Sequence, residues 1–221
     1  MAKAGDRVMP DQASEGNEDT PQPLVYVVDD DPEVRRSLQL LMESVNLAVE
    51  CYGSAAEFLE DCDRTRPGCL ILDVRMPGMS GLELQDQLVA EGSRLPIIMI
   101  TAFGEVSLAV RAMRAGAIDF VEKPFSRQEL LDRVHAAIET SVALQKKNQS
   151  RAEIAERLGR LTDRERQVMD LMVAGNQTKE IAAELGISPK TVDNHRSRVF
   201  EKSGADGVAE LVWMVVRNDE R

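Results

Sequence analysis

Between Leu24 and about Ile138, short apolar runs alternate with amphipathic stretches. The runs are LVYVV (Leu24–Val28), LAVECY (Leu47–Tyr52), CLIL (Cys69–Leu72), PIIMI (Pro96–Ile100) and AIDFV (Ala117–Val121). Three are apolar throughout, as strands covered on both faces require. Between the runs, Val34, Leu38, Leu41 and Val45, and then Val106, Ala109, Val110 and Met113, recur at helical spacing. Strand and helix alternating five times predict an α/β domain over residues 23–140, a doubly wound five-stranded parallel sheet. The last helical pattern of this unit, Leu130, Val134, Ile138 and Val142, runs into the polar stretch QKKNQSRAE (Gln145–Glu153). With no helix breaker in it, this linker (residues 141–158) fits a solvated helix and a flexible tether equally.

From residue 159 to 221 only short helical segments follow, predicting a second, all-α domain of four helices. Thr162 with Glu165 forms a capping box that opens a helix through about Ala174, closed by Gly175. A second helix fits Thr178–Leu185, stopped by Gly186. Ser188 caps a third, with Pro189 at its first position and an end near Ser203–Gly204. A fourth runs from about Gly207 to Val216. Residues 1–22 are polar and acidic with no hydrophobic period, and are expected to be a disordered tail.

Composition narrows the reading in three ways. A chain of 221 residues holds two modest domains comfortably. Lys and Arg number 27 against 38 Asp and Glu, a formal net charge of −11, which argues against coating nucleic acid by bulk charge but leaves room for a small basic reading head. No apolar run reaches the ~20 residues of a membrane helix, and the N-terminus lacks the apolar core of a secretory signal, so a cytoplasmic protein without membrane contact is expected. Cys51, Cys62 and Cys69 lack metal-ligand spacing and are read as reduced thiols.

Ligands of open α/β sheets bind outside the carboxyl ends of the strands. Asp29 and Asp30 end the first predicted strand, Asp73 the third and Thr101 the fourth, and Lys123 follows the fifth. Each alone is an ordinary strand-end residue; Asp31, before Pro32, is most simply a helix N-cap. Their joint placement carries the weight. Clustered carboxylates suit a hard cation such as Mg²⁺, and a lysine and a hydroxyl beside them suit a transferring phosphoryl group.

The stretches VYVVDDD (Val25–Asp31), LILDVRMPGMSG (Leu70–Gly81), MITAFG (Met99–Gly104) and AIDFVEKPF (Ala117–Phe125) resemble the flavodoxin-like receiver domains of two-component response regulators. The longer string TAFGEVSLAVRAMRAGAIDFVEKPF is similar to the nitrogen-fixation-type regulators among them. The resemblance implies that Asp73 accepts the phosphoryl group and that Asp30 and Asp73 bind Mg²⁺, aided by Asp29 through water and by the Arg75 carbonyl. It further implies that Thr101 and Lys123 contact the phosphoryl oxygens, that Phe120 turns inward on activation, and that the Lys123–Pro124 bond is cis. The phosphoryl donor would be a phosphohistidine on a sensor histidine kinase.

In the second domain, the helix Thr178–Leu185, the turn Gly186–Ile187–Ser188 and the following helix have helix-turn-helix grammar. From Ile187 to Lys202 four basic residues face two acids, a modest excess, and the turn alone reads as an ordinary helical hairpin. The strings LTDRE, TKEIAAELGIS and KTVDNHRSRVFEKSGA, however, resemble the four-helix DNA-binding domain of quorum-sensing regulators. That likeness implies a third helix in the major groove with Asp193, Asn194 and Ser197 toward base edges. Thr178, Lys179, Lys190, Thr191, His195, Arg196, Arg198 and Lys202 are its backbone-contact candidates, and Val192 and Val199 its core. Asp193 stands where many relatives carry a base: it would repel phosphate, yet an acid can accept from a cytosine amino group.

Together these resemblances imply a non-enzymatic response regulator that is phosphorylated on Asp73, dimerises, binds double-stranded DNA and works with RNA polymerase, as an activator does. A metal-dependent phosphatase generally needs a second acid two residues after the nucleophile, where Arg75 stands. A receiver gated by a ligand without phosphorylation is the remaining alternative, and the full set Asp29, Asp30, Asp73, Thr101 and Lys123 weighs against it.

Overall fold

The computed structural model describes residues 22–63, 66–102 and 106–219, and the chain divides between Ser141 and Val142 into two compact units. The expected tail lies outside the described residues apart from Gln22. In chain order the first unit contains β1 (Leu24–Val28), α1 (Pro32–Glu43), β2 (Ala48–Tyr52), α2 (Ala55–Asp61), β3 (Gly68–Asp73), α3 (Gly81–Ala90), β4 (Ile97–Thr101), α4 (Val106–Arg114), β5 (Asp119–Glu122) and the first half of α5 (Arg127–Gly159). The strands form one parallel sheet in the order β2-β1-β3-β4-β5.

The central strands β1, β3 and β4 are buried along their whole length, as their unbroken apolar runs require. One face of the sheet packs Tyr26, Val28, Leu70, Leu72 and Met99 with Phe58 of α2, Leu84 and Leu88 of α3 and Ala112 of α4. Phe58 stands edge-on to Tyr26 and Tyr52, with ring centroids 5.7 and 5.4 Å away. Each such fully buried side chain contributes about 1.5–3 kcal/mol by leaving water. β2, an edge strand, is exposed over most of its length and closes only at Tyr52.

Two close approaches fix the loops of the sheet. A Cβ on Gly68 would stand 1.9 Å from the Leu24 carbonyl oxygen, so only glycine fits at the start of β3. Its buried N–H donates to Ser141 Oγ of α5 at 3.0 Å. A Cβ on Gly81 would stand 2.1 Å from the Asp73 carbonyl oxygen, so the first turn of α3 lies directly against the end of β3.

Helix α4 departs from the expected orientation. Its stripe of Val106, Val110 and Met113 is exposed (78%, 44% and 46%), whereas Ala112 is buried and Leu108 packs on the core. Two apolar stripes overlap on this helix, and spacing alone does not say which one meets the sheet.

Residues 141–158 are helical: α5 is continuous from Arg127 to Gly159. The second unit adds α6 (Asp163–Val173), α7 (Thr178–Leu185), α8 (Pro189–Ser203) and α9 (Val208–Asp219). Its core joins Val168, Met169 and Met172 of α6, Ile181 and Ala182 of α7, Val192 and Val199 of α8, and Leu211 and Met214 of α9. Ile154 and Leu158 from the last turns of α5 complete it. The caps follow the sequence closely. Thr162 and Glu165 bond reciprocally in a capping box, and Ser188 caps α8 with Pro189 at its first position. Gly186 closes α7 at φ 65°, a left-handed conformation that glycine adopts without a Cβ penalty.

Candidate functional site

Asp29, Asp73, Thr101 and Lys123 come together at the carboxyl edge of the sheet, where β1, β3, β4 and the segment after β5 end. The first three are buried, at 1%, 6% and 1% exposure. The Lys123 ammonium donates to Asp29 Oδ2 and to Asp73 Oδ1, each at 2.8 Å. The second oxygen of Asp73 accepts the Arg75 N–H at 2.7 Å. Lys123 is anchored by its own N–H to the Thr101 carbonyl at 2.7 Å, and the following peptide bond to Pro124 is cis. Asp31 caps α1, accepting from the N–H groups of Glu33 and Val34.

Charge balance decides what this edge can hold. Burial pushes the Asp73 carboxyl upward, and the Lys123 ammonium only partly offsets it. Burial also lowers Lys123, but its bonds to both carboxylates outweigh that and leave it raised. Two buried carboxylates against one ammonium leave an excess of negative charge, with Asp30 exposed beside them. Among the described residues no three His, Cys, Asp or Glu side chains are already grouped around a single point. The donors at this edge are nevertheless hard oxygens in net negative surroundings, which fits a divalent cation of the Mg²⁺ class. Phe120 on β5 is half-buried and packs against the core beneath this edge.

On α8, Val192 and Val199 point into the core, and Lys190, Asp193, Asn194, Ser197 and Arg198 are exposed. Thr191, His195 and Arg196 are half-buried, and Lys179 on α7 is exposed. The bonding of three of these residues was not visible in their spacing. Lys202 does not project outward: its ammonium donates to Glu165 Oε2 at 2.6 Å, and Glu165 is 2% exposed. That bond, with the Thr162 N–H, holds the Glu165 carboxyl down at about 2. The pair staples α8 to α6, a structural task the basic character of Lys202 concealed. Asp193 accepts the Thr178 hydroxyl at 3.3 Å, tying the start of α8 to the start of α7. His195 keeps a buried Nδ1 that no hydrogen-bond partner reaches. Glu165 and Arg164, which donates to the Leu185 carbonyl at 2.6 Å, were missed as partners of the helix-turn-helix, because nothing local signals bonds 37 and 21 residues apart.

A five-stranded parallel sheet with an acid–lysine–acid bridge at its carboxyl edge, followed by a helix-turn-helix, defines a signal receiver coupled to a DNA-binding module. Family models agree: the response regulator receiver domain matches residues 25–135, and the bacterial regulatory proteins of the luxR family match residues 160–215. The chain is 44% identical to the transcriptional regulatory protein FixJ of Azorhizobium caulinodans over 87% of its own length and 91% of that protein's. It is 41% identical to the response regulator protein TodT of Pseudomonas putida over 97% and 91%. Among solved structures, the response regulator StyR superposes with a TM-score of 0.84 at 42% identity, covering 89% of this chain and all of that one (100%). Full-length FixJ from B. japonicum gives 0.54 at 39%, covering 90% and 98%. The chain belongs to the response regulators, with a receiver followed by a LuxR-type DNA-binding domain, and is a regulator of transcription. No helix among the described residues is long and apolar enough to cross a membrane.

Proposed function

We propose that Asp73 accepts a phosphoryl group from a phosphohistidine on a sensor histidine kinase. The observation that carries this reading is the half-buried Lys123 ammonium shared by the buried Asp29 and Asp73 at 2.8 Å. An Asp73 oxygen attacks phosphorus; the new O–P bond forms as the N–P bond breaks, and the donor imidazole leaves and regains its proton. Lys123 and the Thr101 hydroxyl stabilise charge on the phosphoryl oxygens. Asp29, Asp30, Asp73 and the Arg75 carbonyl would hold Mg²⁺, which when bound offsets repulsion between the carboxylate and the incoming anion.

Phosphorylation then favours a conformation with Phe120 turned inward and a homodimer that binds paired half-sites on double-stranded DNA in the cytoplasm, activating transcription with RNA polymerase. Support for a receiver dimer comes from the exposed apolar stripe of α4, Val106, Val110 and Met113, continued by Ile118 before β5. Beside this stripe Arg111 donates to Asp86 at 3.0 Å. Asn194, Ser197 and Asp193 are the base-edge candidates on α8. Thr178, Lys179, Lys190, Thr191, His195, Arg196 and Arg198 remain the candidates for backbone contact.

The test is labelling of the full chain with phosphoramidate and Mg²⁺, followed by sedimentation. Acid-labile phosphate that disappears in Asp73→Asn, with a larger species formed only on labelling, is expected. Label persisting in Asp73→Asn would overturn the site, and DNA binding that changes with neither Mg²⁺ nor phosphodonor would favour gating by a ligand.

A further inference from the structure

Asp29 is bonded at every polar atom it has. Its N–H donates to the Tyr52 carbonyl at 3.3 Å, its Oδ1 accepts the Asp31 N–H at 2.9 Å, and its Oδ2 accepts Lys123. The fourth bond comes from a residue outside the cluster at the sheet edge: Arg35 Nη1, on the first turn of α1, donates to the Asp29 carbonyl oxygen at 2.6 Å. The Arg35 backbone is itself fixed, its N–H donating to the Asp31 carbonyl at 3.0 Å. The guanidinium runs along Gly53 at the end of β2. A Cβ there would stand 3.6 Å from Arg35 Cζ, within ordinary contact.

That carbonyl belongs to the peptide joining Asp29 to Asp30. Because the peptide is planar, holding its oxygen fixes the orientation from which the Asp30 backbone, and hence its carboxylate, sets out. Asp30 is exposed and has no burial to steer it, so the peptide planes on either side of it constrain it, one held by Arg35 and the other by the Asp31 N–H bonded to Asp29 Oδ1. We infer that Arg35 is a positioning residue for the acidic pair: through the Asp29 carbonyl it orients the Asp30 carboxylate toward the cation position, and so sets the affinity of the site for Mg²⁺. The inference rests on the receiver reading above.

Two opposite effects make the claim falsifiable. As a positive charge near the site, Arg35 should weaken cation binding; as a carbonyl donor it should strengthen it. Arg35→Met keeps an unbranched apolar stem but removes both donor and charge, whereas Arg35→Lys keeps both without the planar fork. The full chain is titrated with Mg²⁺ by calorimetry, and phosphoramidate labelling is followed at rising Mg²⁺ concentration.

If positioning dominates, Arg35→Met weakens Mg²⁺ binding about tenfold. Its labelling rate at saturating Mg²⁺ stays within about threefold of the unaltered chain, and Arg35→Lys restores most of the affinity. Equal melting temperatures without Mg²⁺ show that the fold is intact. Should Arg35→Met fail to fold, Arg35→Gln replaces it and must bind more weakly than Arg35→Lys. Affinity unchanged or tighter in the uncharged variant overturns the positioning role while leaving the receiver reading standing. If the unaltered chain neither binds Mg²⁺ nor becomes labelled, the receiver reading falls and this inference with it.

Discussion

The sheet edge of the first unit and helix α8 of the second handle charge in opposite ways. At the sheet edge two buried carboxylates and a half-buried ammonium are bonded to one another, so that Asp29, Lys123 and Asp73 form one connected bridge. On α8, Lys190, Asn194 and Arg198 stand exposed, and the buried positions, Val192, Val199 and Ser203, carry no charge. Chemistry on a small anion needs its charges held in place before the substrate arrives, where low dielectric makes each worth more. Reading a polyanion needs side chains that stay solvated until contact and then displace ions from it. Lys202 crosses that division, because it lies on α8 yet is bonded inward like a residue of the sheet edge.

The sharpest test of the comparison is Lys123→Met. Removing the ammonium leaves two carboxylates with no shared cation and strips a donor from the phosphoryl oxygens. Labelling of Asp73 should fall by about two to three orders of magnitude, the scale of losing one preorganised charge. DNA affinity of the unlabelled chain should not change. A loss under tenfold in a quench-flow labelling assay would mean the bridge is merely structural.

Next comes Glu165→Gln, which leaves Lys202 without its counter-charge. Breaking a largely buried pair should destabilise the second unit by about 2–3 kcal/mol in denaturant unfolding. The pH dependence fixes the sign. The folded carboxyl lies at about 2 against an ordinary value of 4.5, so its contribution is full above that ordinary value and is lost as pH falls through about 2. Glu165→Gln should flatten the acid limb, and Lys202→Met should destabilise in the same way while leaving the salt dependence of DNA binding unaltered.

Smaller effects separate the exposed residues of α8 from one another. Asn194→Ala should relax preference at one base pair by about 1–3 kcal/mol. Lys190→Ala should weaken binding on all sequences and lower the salt slope by about one unit. Titrations on matched and mutated sites at several salt concentrations distinguish them. A change of base preference in Lys190→Ala without a change of slope would remove α8 from the groove.

The smallest effect is expected at Asp73 itself. Its folded carboxyl is raised above the unfolded value, so the folded state binds more protons in that window and loses stability as pH rises through it. Asp73→Asn should therefore melt a few degrees higher at neutral pH, with the gain vanishing as pH falls below the carboxylate range. A lower melting temperature would show that Asp73 is net stabilising through Lys123.

What the sequence made legible was local. The capping box at Thr162, the cap at Ser188, the left-handed stop at Gly186 and the polar residues ending β1, β3 and β4 depend on neighbours a few residues away, and they appear where spacing predicts. The outward stripe of α4 and the inward turn of Lys202 depend on what lies across the fold. Nothing in a run of residues marks that Val110 faces solvent, or that Glu165 waits 37 positions from a lysine that looks like a phosphate contact.

The bond from Gly68 to Ser141 decides where a shortened form of the protein can end. A receiver cut after residue 140, where the strand–helix alternation gives out, would strip the acceptor from a buried N–H. That site cannot be repacked by a side chain, since glycine alone fits beneath the Leu24 carbonyl. An orphaned buried donor costs about 1–3 kcal/mol, enough to turn a well-behaved fragment into a marginal one. One further residue of helix keeps the acceptor, so solubility and yield of successive truncations should step sharply between endings at 140 and 142.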